Sequence, residues 1–289
     1  MAEAASRTVA NPRGPRDLWR RFRRHRSGVV GLTLTTVFVV MAIVGPVIRP
    51  YDPAQADYLN VSAGVSAAHW LGTDNYGRDI LSRTLVGARY SLSIGVLATA
   101  FSALIGSVWG LLTGYLGGWF DALSGRFMDI MLAFPGLLLA IGIIAIAGPG
   151  FKNVILATTI FGVPIFARLV RGSTLALKER TYIEASQALA ASSGRVMFRH
   201  VLPNILAPIL VYVTLRIGTV ILIAAALSFL GLGVQPPTPE WGAMLSEAQL
   251  YLAIDPLMAL APGVAISLAV LGFNLLGDGL RDVLDPRIR

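Results

Sequence analysis

The chain is predicted to fold as an all-α polytopic transmembrane bundle of about six spans, and three features of the sequence predict it. Of 289 residues, 55% are hydrophobic and 14% charged, with a mean hydropathy of +0.67. A soluble domain carries about 25% charged residues and could not hide so much apolar surface. The apolar residues gather into separate runs close to the roughly 20 residues that a helix needs to cross hydrocarbon. The runs are continuous and do not alternate apolar with polar, which argues against a β-barrel.

The predicted spans are roughly 27–48, 91–116, 127–147, 153–170, 205–230 and 257–276. The first follows an arginine cluster of Arg20, Arg21, Arg23, Arg24 and Arg26. Its apolar run from Val29 to Ile48 is long and no A-x-A-like site follows, so an uncleaved signal-anchor helix is expected. Between the first two spans, residues 50–90 form a long loop. Its stretch from Gly77 to Leu92 can gather Ile80, Leu81, Leu85 and Val86 on one face away from Arg78, Arg83 and Arg89, and is expected to lie along the membrane interface. The third span contains Pro135 and the fourth Pro164, breakers that a bundle tolerates when neighbours satisfy the freed backbone groups. The inside segment 168–203 is polar but rich in helix-forming Ala and Leu, so it should fold against something beyond the bundle.

Charge sets the expected orientation. Of the 24 Lys and Arg, 18 fall in the tail 1–26, the 117–126 link, the 168–203 loop and the end after 277. Five fall on the opposite side and Arg216 lies within the fifth span. The positive-inside rule then puts both termini in the cytoplasm and 50–90 and 231–256 outside. The formal net charge of +8 is accounted for by these flanks of the spans, and no nucleic-acid partner is inferred. There are no cysteines, which excludes disulfides, thiolate metal sites and a cysteine nucleophile.

No catalytic set is visible. His25, His69 and His200 are scattered and read as surface or interfacial residues, without an H-E-x-x-H pattern, and no metal site is expected. A phosphate-cradling G-x-x-x-x-G-K-[ST] is also missing, so any ATP must be hydrolysed by another chain. Arg216 lies 12 residues beyond Asn204, about 18 Å into its helix. An ionisable group at that depth is costly, so Arg216 should face a water-filled pathway or a partner charge. A structural pair with a neighbouring chain, or snorkelling, are the other readings.

Within the 168–203 loop, EASQALAAS (184–192) followed by RHVLPN (199–204) resembles the EAA loop of binding-protein-dependent ABC importer permeases. Three further stretches resemble the peptide/nickel branch of that family: LGTDNYGRDILSRTLVGARYSL from Leu71, ALSFLGLGVQPPTPEWGAML from Ala226 and NLLGDGLRDVLDPR from Asn274. Their order, and the leading extra helix, are similar to the second-type permease of dipeptide and oligopeptide importers.

The resemblance implies a type I ABC importer (MetI-like) transmembrane domain in the bacterial cytoplasmic membrane, with a basic tail 1–26, a leading helix and outer loop 27–90, and a permease core 91–289. Implied partners are a second homologous permease, two ATP-binding subunits carrying the ATP and Mg, an extracytoplasmic substrate-binding protein and the lipid bilayer. This chain itself would hold no cofactor. The loop would supply a coupling helix over 181–195 that docks on the ATPase, with Glu184, Ala185, Ser186, Ala188, Leu189, Ala190 and Gly194 as contacts. Glu184, Ala188 and Ala191 would share its bare face. The family usually has glycine where Ala190 stands, so either Gly194 supplies the turn instead or the helix runs longer. Many relatives carry an acidic residue in place of Ala224. The outer loops would meet the binding protein, with Pro237 and Trp241 of the stiff QPPTPEWG stretch as candidate contacts.

Peptides are the expected cargo, while glutathione or nickel chelates are alternatives within the same architecture. An ion-coupled secondary transporter is the rival class. It should carry acidic or histidine residues at mid-span for a proton relay, and this sequence puts almost none there.

Overall fold

In hydrocarbon nothing but the chain itself can satisfy the backbone, so each apolar run closes its own hydrogen bonds as a helix. The computed structural model describes residues 15–284, in which the helices are α1 (Pro15–Phe22), α2 (Arg26–Ile48), α3 (Ile80–Leu116), α4 (Gly118–Ala133), α5 (Gly136–Ala147), α6 (Phe151–Lys178), α7 (Thr181–Ala188), α8 (Ser193–Val196), α9 (Leu202–Phe229), α10 (Trp241–Ala248) and α11 (Leu257–Leu284). A π-helical turn, Met197–Val201, leads into α9, and a 3₁₀ turn, Gln249–Tyr251, follows α10. Most of the predicted basic tail, and the last residues of the LDPR stretch, lie outside the described residues.

The helices α2, α3, α6, α9 and α11 are long and apolar enough to cross a membrane. The pair α4 and α5, bent by 89° at the break between them, is long and apolar enough to count as a sixth candidate crossing if taken together. The predicted span 127–147 falls within this pair and is broken at the Pro135 foreseen as a breaker. Pro135 drives Phe134 into an extended conformation, φ −83° and ψ 135°, and the helix must stop there. By contrast, Pro164 is absorbed within the 28 residues of α6.

The expected interfacial helix at 77–92 does not form as a separate element. Residues from Ile80 onward are the first turns of α3, buried among α9, α10 and α11. Arg78 and Arg83, expected to stay in solvent, are 4% and 1% exposed.

Apolar side chains gain nothing by leaving lipid, so close van der Waals contact must hold spans together. The tightest seam joins α3 to α6. Gly106, Gly110 and Gly114 recur every four residues along one face of α3, and a Cβ at Gly110 would come within 2.2 Å of the Ala167 carbonyl oxygen. Between α2 and α11, Gly28 and Gly279 meet in the same way, with a Cβ on Gly279 only 2.5 Å from the Gly28 Cα.

Successive spans alternate in direction, so the connections collect at two ends. One end, the cap, holds 49–79 and 230–256. The other, the hairpin end, holds the link at 117, the segment 179–201 and the end of α11, where His25 pairs with Asp282 at 2.7 Å.

The cap is closed by buried charges. Arg78 donates from Nε to Asp74 at 2.6 Å and from Nη2 to Glu247 at 2.7 Å, while Arg83 donates from Nη2 to the same Glu247 oxygen at 2.9 Å. Two cations and two carboxylates balance, which is what burial demands. Gly77 lets the loop close beneath them, since at φ +75° a Cβ would sit 1.8 Å from the Asp57 carbonyl oxygen. Removing one partner of a buried pair costs about 3–5 kcal/mol. Glu247→Ala is thus expected to lower the thermal midpoint of the detergent-solubilised chain by several degrees, with Glu247→Gln milder. A melting curve unchanged by the Ala variant would show that the cap does not depend on this carboxylate.

Candidate coupling site and pathway

At the hairpin end, α7 and α8 are held by their base. Ile183 and Val196, both 0% exposed, enter a cluster with Leu111, Val170, Val201 and Ile205, from α3, α6, the π-helical turn and α9. The rest projects: Glu184, Ala185, Ala188 and Ala190 are exposed, Ser186 is half-buried and Leu189 is 84% exposed at the tip. Ser186 turns its hydroxyl back onto the Tyr182 carbonyl at 2.8 Å, leaving the outer face without a competing donor from that side chain. Glu184, in the first turn of α7, lies where a helix favours negative charge.

The predicted continuous helix 181–195 breaks after Ala188. The Ala191 N–H donates to the Ser186 carbonyl at 3.2 Å, the six-to-one bond of a Schellman ending, and Ala190 takes the left-handed conformation with φ +57°. Gly194 was one expected turn residue, but it lies past the turn in α8, exposed and with no neighbour in the way of a Cβ. Ala191 consequently leaves the face of Glu184 and Ala188 and packs, half-buried, on the inner cluster.

Arg216 is 6% exposed in the middle of α9. Its guanidinium lies over the Phe161 ring of α6 at 5.1 Å, and its Nε and Nη2 are buried without a hydrogen-bond partner. Nearer the hairpin end, a charged cavity of about 360 Å³ is lined by Asp121, Arg126, Asp129, Arg168 and Arg171 of α4 and α6. Arg171 pairs there with Asp121, Nη2 to Oδ2 at 2.7 Å, and Arg168 pairs with Asp129. Asp129 stays 72% exposed in that pair.

At the cap, Pro237 is exposed as a contact residue must be. Trp241 is not: it is 0% exposed, and its indole N–H donates to the Thr84 carbonyl at 3.0 Å. It cannot touch a docked protein, because the N-terminus of α10 turns it inward between α3 and α9. Glu240 holds that helix start, accepting from Ser91 Oγ at 2.9 Å and from the Ala243 N–H at 3.0 Å. Glu240 and Glu247 escaped the sequence reading, since their side-chain partners in or just before α3 stand about 150 to 170 positions away, and Asp74 escaped it although Arg78 is only four positions on. Ala224 is 1% exposed among Ile94, Ala98 and Leu227, a site with no room for a free carboxylate.

Long apolar spans around a bent pair, ion pairs gathered at the cap and the cavity, and a projecting helical hairpin are features of a membrane transport permease. Residues 106–289 match the family described as binding-protein-dependent transport system inner membrane component, and residues 16–64 match the N-terminal transmembrane domain of oligopeptide transport permease C. The chain belongs to the binding-protein-dependent inner membrane components and is an ABC importer permease of the peptide/nickel branch. It is 52% identical over 274 residues to the glutathione transport system permease protein GsiD of Escherichia coli O1:K1, covering 94% of this chain and 90% of that one. The GsiD of Shigella boydii serotype 4 is equally similar, 52% over the same 274 residues. The inward-facing MetNI methionine ABC transporter shares the fold, with a TM-score of 0.56 at 21% identity over 70% of this chain and 97% of that one. The chain is therefore a multi-pass, non-catalytic membrane subunit, and membership in the family implies ATPase and substrate-binding partners.

A non-glycine residue in the left-handed region carries about 1 kcal/mol of strain. Ala190→Gly is expected to relieve it and to slow hydrogen exchange at the Ala191 amide, whereas Ala190→Val should strain the turn and speed exchange. Equal exchange in the two variants would mean that the turn at 190 does not hold the hairpin.

Proposed function

We propose that this chain is one of two related permease subunits of an ATP-driven importer of small peptides, with glutathione the first cargo to test. The observation that carries the reading is the projecting hairpin, small-residued and exposed on its outer face but pinned at its base to α3, α6 and α9. Such an element can enter a groove on another protein and pass a displacement into the bundle.

In this reading the hairpin end and both termini are cytoplasmic, in keeping with the excess of Lys and Arg there. Two ATPase subunits bind ATP and Mg, close, and push the hairpins. The bundle then shifts between inward- and outward-open populations. A binding protein delivers substrate at the opposite end, where exposed Pro237 is a candidate contact. The names of the relatives support glutathione, while similarity to oligopeptide permeases keeps other short peptides open. Uptake of labelled glutathione with unlabelled dipeptide as competitor separates the two.

Glu184 tests the coupling. Truncating one partner of a desolvated, hydrogen-bonded charge pair across an interface costs about 2–5 kcal/mol. Glu184→Lys is expected to detach the ATPase or abolish substrate-stimulated hydrolysis while the permease still inserts. Glu179, exposed at the end of α6, is the control and should tolerate the same reversal. Unchanged uptake and hydrolysis in both variants would remove the hairpin from the coupling route.

A further inference from the structure

Arg216 is a cation that no carboxylate among the described residues answers. It lies 14 residues into α9, about 21 Å from Leu202 and so near the middle of a 28-residue span. Buried charges in membranes are otherwise paired. The two carboxylates of α4 are already engaged, Asp121 by Arg171 and Asp129 by Arg168. Asp74 of the loop before α3 and Glu247 of α10 are spent in the cap on Arg78 and Arg83. Arg216 therefore keeps Nε and Nη2 without acceptors and leans on the face of Phe161.

Those two nitrogens form one edge of the guanidinium fork, the edge that matches the two oxygens of a carboxylate. An aromatic face substitutes for an anion but accepts no bidentate pair of hydrogen bonds. Phe161 is itself only half-buried. Its ring tip presses on Gly136, where a Cβ would lie 2.1 Å from Cζ, and Gly136 is the first residue of α5 after the Pro135 break. The cover on Arg216 thus rests against the bent pair of helices, the least regular crossing in the bundle. A change in the 89° bend would shift the ring and uncover the fork.

From this geometry we infer that Arg216 receives a carboxylate of the substrate during passage, and that Phe161 covers it at rest. The inference deepens the proposed peptide import and rests on it. It makes this permease selective for carboxylate-bearing cargo, independently of what the external binding protein selects. Phe161 is a positioning residue here, acting through its cover on the arginine.

The test uses the whole transporter in proteoliposomes and two probes, a short peptide with a free terminal carboxylate and the same peptide as its amide. Wild type is expected to take up the acid at least about tenfold more efficiently, because an amide leaves the buried fork incompletely paired. Arg216→Met should lose most of that preference by slowing the acid and not the amide. Arg216→Lys should keep part of the preference, through charge without the fork. Phe161→Ala should retain it and lower the KM for the acid.

Normal discrimination in an assembled Arg216→Met complex overturns the inference. So does failure of both arginine variants to assemble, which would make Arg216 a structural partner of the second permease. Wild-type uptake of both probes without preference speaks against the arginine alone, whereas uptake of neither speaks against peptide import itself.

Discussion

Every polar group that enters hydrocarbon must find its partner within the protein, and this constraint orders the structure from end to end. It makes the spans helical, confines irregular backbone to the two ends and the Pro135 break, and forces charges into pairs. At the cap the constraint is met by a closed set in which Glu247 answers two arginines at once. Within α4 and α6 it is met by two separate ion pairs around one cavity. Among the described residues Arg216 is a charged side chain within a span whose demand is left open, alongside span hydroxyls such as Thr99 and Thr174.

The same requirement explains how motion at one end could reach the other. Ile183 and Val196 bind the hairpin to the ends of α3, α6 and α9, and these spans run the full length of the bundle. Along α3 and α6 the glycine seam leaves no slack for sliding, so the two helices respond as one body. At the far end α3 and α10 are joined through Glu247 and through Trp241, whose indole is held by Thr84. The bent pair α4 and α5 lies outside both couplings and is the natural place for a change of shape.

Much of this was legible in the sequence, and the failures have identifiable causes. Apolar runs near span length located the five candidate crossings and the bent pair that can make a sixth. The start of α3 was placed about ten residues late because Arg83 and Arg89 read as charges that must stay in solvent. Arg83 is instead neutralised by Asp74 and Glu247, and no local pattern reports an acceptor 164 positions away. Trp241 read as a contact residue because an indole beside prolines suits an exposed loop equally well. The turn at Ala190 was missed since propensity assigns left-handed backbone to glycine, whereas here the pull of Ile183 and Val196 into the core sets the path of the chain. Glu184 and Leu189, contacts that the family resemblance implied, are by contrast exposed.

Coupling through the hairpin requires the cap and the hairpin to face opposite sides of the membrane, and sidedness can be measured directly in this naturally cysteine-free chain. Single cysteines in place of the exposed Ala67 and Ala185, in the permease expressed without ATPase partners, would be treated with a membrane-impermeant thiol reagent. In intact cells Ala67→Cys is expected to label and Ala185→Cys to stay unlabelled, and inverted membrane vesicles should reverse the pattern. Labelling of Ala185→Cys from outside intact cells would contradict the account, because a hairpin that faces outward cannot meet an ATPase.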